Sequence, residues 1–159
     1  MAAVVMAALA GLLGIIIGRF WDGRSESSRW RRDQTTQSYQ RLAEAFSQVY
    51  EHIRVVALAE PGTSALAEVT DRARQDKTWD NALAAVWLHG STNVIESSLS
   101  LDREVTKIFH RVQKIQLTVA DWNAARTEAA AAFEHFIEAA REELRLPFVA
   151  IRLLPDAAA

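Results

Sequence analysis

The chain has no cysteine, which excludes disulfides, cysteine–zinc sites, iron–sulfur clusters and thiol catalysis. Three prolines and six glycines in 159 residues exclude collagen-like and low-complexity chains. Charge of one sign is not in excess: the net charge is -2, so nucleic acid is not expected as a partner. No strand alternation or hairpin dipeptide stands out, and no repeat of fixed period is found. The sequence also has no phosphate loop, dinucleotide glycine fingerprint or Gly-x-Ser-x-Gly elbow. What is present is apolar: half the residues are hydrophobic and 24% are charged. That balance suits a folded chain of about one domain.

The first eighteen residues carry no charge and no proline. Val4, Val5, Leu9, Leu12, Leu13 and Ile15–Ile17 supply the apolarity. As a helix the run reaches about 27 Å, just short of the ~30 Å hydrocarbon core. Phe20 and Trp21 suit the interfacial aromatic belt, and Arg19 can snorkel to the headgroups. A cleavable signal peptide needs a basic start and a small-residue cleavage site. Here nothing basic precedes the run, and Arg-Phe-Trp follows it. A buried helix of a soluble core does not need so long an uncharged run. A single transmembrane helix over residues 1–21 is expected. Arg19, Arg24, Arg29, Arg31 and Arg32 follow it at once, and no Lys or Arg comes before. The positive-inside rule then places the N-terminus outside the cell membrane and the remainder in the cytoplasm. Ala10, Gly14 and Gly18 are spaced by four, as are Ala3, Ala7 and Gly11. Such stripes let two helix backbones approach and permit a homo-oligomer, although Gly and Ala are frequent in membrane helices generally.

The rest reads as helices, in an all-α fold: the membrane helix followed by an antiparallel bundle of three to four helices. A basic juxtamembrane stalk over residues 22–38 is expected, its helix starting near Ser25. The bundle spans residues 39–147, and residues 148–159 form an extended tail. Tyr39, Leu42, Phe46, Val49, Ile53 and Val56 step by three and four, a heptad seam that ends before Pro61-Gly62. Leu66, Val69 and Ala73 share a face of a second helix after that break. Thr78 is expected to cap a restart through Trp79, Leu83, Val86 and Trp87, and Gly90 to close it in the left-handed conformation. Asn93 and Glu96 have capping-box spacing before a third seam of Val94, Ser98, Leu101, Val105, Ile108, Val112 and Ile115. Thr118 caps a fourth helix, with Asp121 favourable at its positive end. Trp122, Ala129, Phe133, Phe136, Ile137, Ala140 and Leu144 form the apolar face, and Pro147 ends it.

Little in this pattern points to chemistry. His52, His89, His110 and His135 make no zinc spacing and no Glu-x-x-His di-iron motif, so no metal or other cofactor is expected. His89-Gly90-Ser91 cannot set a base against a nucleophile across a helix-break turn. No catalytic residue is assigned and an enzyme is not expected. The concentrated surface signal is Arg29-Trp30-Arg31-Arg32. With Arg19 and Arg24 it sets topology and can attract anionic membrane lipid, at about 1 kcal/mol per charge near the surface. Core packing is the ordinary expectation for Trp79, Trp87 and Trp122. Trp30, set among arginines before the seam begins, suits a lipid or partner contact.

Three segments carry a resemblance: Ser28-Arg29-Trp30-Arg31-Arg32-Asp33-Gln34 with Tyr39-Gln40-Arg41-Leu42, then Ala85-Val86-Trp87-Leu88-His89-Gly90-Ser91, then Leu101-Asp102-Arg103-Glu104. Together they resemble small uncharacterised actinobacterial proteins, over about residues 15–146. The resemblance implies one membrane helix followed by a helical cytoplasmic domain, and it implies no activity. The expected role is a membrane-tethered interaction or scaffold module for a protein partner not identified by the sequence. The alternatives are a regulatory bundle coupled to the membrane helix and, third, an enzyme.

Overall fold

The structure, a computed structural model, describes residues 2–58, 77–150 and 152–153, the side chains of residues 2–29 excepted. Among them are four helices and no strand: α1 (Ala2–Leu58), α2 (Thr78–His89), α3 (Thr92–Val112) and α4 (Val119–Glu143). The chain divides into two compact units, Met1–Gln34 and Thr35–Ala159. The second unit is an all-α bundle. Among the residues whose side chains are described, from Trp30 onward, no helix is long and apolar enough to cross a membrane. The apolar side chains of residues 1–18 lie outside the described residues, as does the expected helix through Leu66, Val69 and Ala73.

α1 is helical without a break from Ala2 to Leu58, so no helix start occurs at Ser25. Within the bundle unit its seam is the inward face. Tyr39, Leu42, Phe46, Ile53 and Val56 are buried and Val49 packs against them. The stripe has α-helical period, so one face of α1 meets the core along its length. Ring contacts give the direction of packing. Tyr39 meets Phe136 edge-on at 6.1 Å, Phe46 stacks on Phe133 at 4.3 Å, and Tyr50 lies 5.4 Å from Trp122. Rising numbers on α1 pair with falling numbers on α4, so these two helices run in opposite directions. The Leu117 N–H donates to the Ala57 carbonyl at 3.3 Å and ties the α3–α4 turn to the end of α1.

α3 packs on α4 and α2 on α3. The α3 seam from Val94 to Val112 is buried as its spacing predicts, Ser98 included. The Ser98 hydroxyl donates to the Ile95 carbonyl at 2.7 Å, which satisfies a polar group at a core position. Ile115 differs: it is exposed, because the helix ends at Val112 and helical spacing no longer directs it inward.

The caps are partly those expected. Thr118 accepts from the Asp121 N–H at 3.1 Å while Asp121 accepts from the Thr118 N–H and hydroxyl, a complete capping box. The Thr118 hydroxyl and then its N–H hold the Asp121 carboxyl below its ordinary range. α2 begins one residue earlier than a Thr78 cap requires, with Lys77 at the cap position. Ser91 rather than Asn93 takes the cap position of α3. α4 does not run to Pro147. It ends at Glu143, where the Arg145 N–H donates to Glu142 and the Leu146 N–H to Arg141. That pair of bonds is a Schellman motif, with Arg145 in the left-handed region at φ 57 where glycine is usual.

Candidate functional site

The two groups of residues singled out in the sequence are described unequally. Trp30, Arg31 and Arg32 are exposed on α1, and Trp30, at 61% exposure, is not a core residue. The side chains of Arg19, Arg24 and Arg29, and of Ala10, Gly14 and Gly18, lie outside the described residues. Of the other tryptophans, Trp122 is buried. Trp79 is half-buried, and its indole N–H donates to Asp102 at 2.8 Å. Trp87 is exposed, contrary to its expected place in the core, because α2 buries a narrow stripe of Ala82, Leu83 and Val86.

Sequence reasoning did not find the polar node that closes one end of the bundle. The Tyr39 hydroxyl donates to Glu143 Oε2 at 2.6 Å, and the Ser91 N–H donates to the same oxygen at 3.1 Å. One carboxylate at the end of α4 thereby joins α1 to the α2–α3 turn. The Thr35 hydroxyl adds a bond to the His89 carbonyl at 3.2 Å. Tyr39 follows the apolar seam, and nothing in its spacing reveals that its hydroxyl has a partner 104 residues away. Gly90 sits against this node in extended backbone, φ -86 and ψ 158, and not in the left-handed conformation expected of a helix-ending glycine. It is required for closeness instead. A Cβ there would lie 2.9 Å from the Val86 carbonyl oxygen and 3.1 Å from the Tyr39 hydroxyl.

Burial and then the Glu143 carboxylate push the Tyr39 phenol well above its ordinary value of 10. The phenol therefore stays protonated in the fold at a pH where the unfolded chain has lost that proton. The stability it contributes is present below pH 10 and lost as pH rises past it. The parent protein should lose stability above pH 10 faster than Tyr39→Phe, by up to about 1.4 kcal/mol per pH unit. Paired denaturant titrations across that range read the difference. Parallel pH profiles for the two proteins would show that the Tyr39 proton is not held.

Elsewhere an open groove of about 630 Å³ runs between α3 and α4, with Leu146, Phe148 and Val149 on its rim. Its ionisable side chains, among them Glu96, His135, Glu138 and Glu142, are exposed or half-buried. His135 lies 3.6 Å from Glu138 in an exposed pair one helical turn apart. Among the described residues no group of three His, Cys, Asp or Glu is placed to hold a metal ion. His89 is exposed, and the turn it shares with Ser91 is engaged in the Tyr39–Glu143 node. Comparison with protein families, curated proteins and solved structures finds no match for the chain.

Proposed function

We propose that the chain is a single-pass membrane protein whose helical bundle serves as a cytoplasmic interaction or scaffold module, without catalytic activity. The observation that carries this reading is the uncharged run of residues 1–18 followed by five arginines within fifteen residues. The run supplies the anchor and the arginines hold their flank inside. The same α1 helix continues to Leu58 and contributes the Tyr39–Val56 seam to the bundle core. The partners are then membrane lipid, through Trp30 and the arginines, and a protein bound by the bundle. Ala10, Gly14 and Gly18 offer a self-association stripe inside the bilayer. The open groove, rimmed by apolar side chains and holding no buried ionisable group, suits binding better than turnover.

Topology is the direct test. A reporter fused at the C-terminus should be active only in the cytoplasm, and an impermeant reagent should leave the C-terminus unlabelled in intact cells. Labelling there would sink the reading. Neutralising Arg19, Arg24, Arg29, Arg31 and Arg32 together should give a mixed orientation, because these five carry the positive charge that flanks the run on its C-terminal side.

A further inference from the structure

We infer that the groove between α3 and α4 docks a short basic amphipathic helix of a partner protein. The inference rests on reading the bundle as an interaction module, and it concerns residues of the bundle unit alone. Asn93, Glu96 and Ser100 line the groove from α3, and His135, Glu138 and Glu142 line it from α4. Each set steps by three and then four residues, so each helix presents one stripe about 10 Å long, or two turns. The third wall is the segment after α4, with Leu146, Phe148 and Val149. Phe148 is 80% exposed, so this wall is apolar and uncovered. It is fixed at two points. Arg141 Nη2 donates to the Pro147 carbonyl at 2.8 Å, and the Leu153 N–H donates to Glu134 Oε1 at 2.6 Å. Pro147 is held by the later of these two α4 residues and Leu153 by the earlier, so the segment runs back along α4 and sets its apolar side chains beside the acidic stripe.

Charge selects the occupant. The lining carboxylates Glu96, Glu138 and Glu142 outnumber the lining guanidinium of Arg141, whose Nη2 is engaged by the Pro147 carbonyl. Glu138 and Glu142 also lie in the last two turns of α4. There the negative end of the helix dipole favours cations and works against carboxylates. Glu143, in the same turn, is compensated by Tyr39 and by the Ser91 N–H at the start of α3. Glu138 has only an exposed His135 at 3.6 Å to offset it. Acid left at a helix end is a cost that a bound cation removes. A helix is the form of ligand that fits. Among the described residues there is no strand whose edge an extended peptide could join, whereas a helix satisfies its own backbone and offers only side chains to a groove. Two turns with Lys or Arg toward Glu138 and Glu142, and a Leu or Phe against Phe148, match the lining.

The probe is a synthetic helix of about sixteen residues, long enough to fold alone, built of alanine and lysine with a pair of leucines one turn apart. Its counterpart has glutamate for every lysine. Fluorescence anisotropy follows each peptide with the full chain in phosphatidylcholine nanodiscs, and empty nanodiscs are the blank. The lysine peptide should bind about tenfold or more tighter than the glutamate peptide and should weaken with added salt. Glu138→Lys with Glu142→Lys should weaken it by about tenfold or more. Lysine suits the end of a helix, so this pair keeps the fold, and circular dichroism checks that it does. Phe148→Ala, at an exposed position, should weaken binding several-fold. Glu44→Lys with Glu128→Lys changes the net charge equally at exposed positions of α1 and α4, and should leave binding within about twofold of the parent. Equal losses for the two charge-reversed pairs would show attraction to the whole surface and overturn the inference. A lysine peptide bound no better than by empty nanodiscs would overturn it too, as would a glutamate peptide bound as well as the lysine one. Binding that survives both the Glu138–Glu142 reversal and Phe148→Ala would place the contact elsewhere on the bundle. That result would overturn the groove and leave the interaction module standing. Sedimentation in mild detergent that gives a dimer for the parent and a monomer for Phe148→Asp would assign the groove to a second copy and overturn the inference.

Discussion

Phe46→Ala is expected to lower the unfolding free energy by about 3–5 kcal/mol, the range for emptying a buried aromatic site. Phe46 is 2% exposed. Its ring stacks on Phe133 at 4.3 Å with the planes 12° apart, and Tyr50 flanks it at 5.6 Å. Phe133 touches Phe136 in turn, and Phe136 meets Tyr39, which is tied to Glu143. Large rings held on several sides cannot collapse into the space left by a missing neighbour, so the cavity cost adds to the lost transfer energy. A single domain has about 5–15 kcal/mol in all, and a loss of about 3–5 kcal/mol removes at least about a fifth of it. Urea unfolding of the full chain in mild detergent, followed by far-ultraviolet circular dichroism, reads the change. Val119→Ala, at an exposed position, should stay within about 0.5 kcal/mol of the parent. A Phe46→Ala loss under about 1 kcal/mol would show that the stacked pair does not form part of the core.

The helix faces were legible because they depend on a local period. Tyr39 to Val56 and Val94 to Val112 could be placed inward from spacing alone, as could Trp122 and Phe136. The Thr118–Asp121 box was legible for the same reason, since all its atoms lie within one turn. Features that depend on tertiary partners were not. Ser91 is drawn to the cap position of α3 where its N–H bonds Glu143, and local spacing alone favoured Asn93. Trp87 and Leu88 have apolar side chains and helical spacing, yet α2 buries only one narrow stripe. Ile115 continues a period that the helix itself does not continue. The arginines and Trp30 are conspicuous in the sequence, whereas the node of Tyr39, Ser91 and Glu143 depends on a carboxylate that joins three segments distant in the chain.

Gly90→Ala is expected to cost about 1–3 kcal/mol, the range for forcing an extra carbon into a packed site. Gly90 has φ -86, which any residue adopts, so backbone strain is not the cause. The cause is the 2.9 Å approach of a Cβ to the Val86 carbonyl oxygen, with the Tyr39 hydroxyl at 3.1 Å on another side. Relief is limited because that carbonyl already accepts the Gly90 N–H at 2.7 Å. Moving Gly90 away stretches this bond, and moving Tyr39 away loosens its bond to Glu143. The close-approach and left-handed accounts differ over asparagine. A glycine kept for the left-handed conformation tolerates Asn better than Ala. A glycine kept for closeness tolerates neither, since both carry a Cβ. Unfolding of Gly90→Ala and Gly90→Asn should therefore show similar losses. A double-mutant cycle with Tyr39→Phe separates the two contacts. With the hydroxyl removed, Gly90→Ala should cost less than in the parent, and the residual cost belongs to the Val86 carbonyl. Asn tolerated where Ala is not would return Gly90 to the role of a left-handed helix cap and remove the close packing of Tyr39 against the α2–α3 turn.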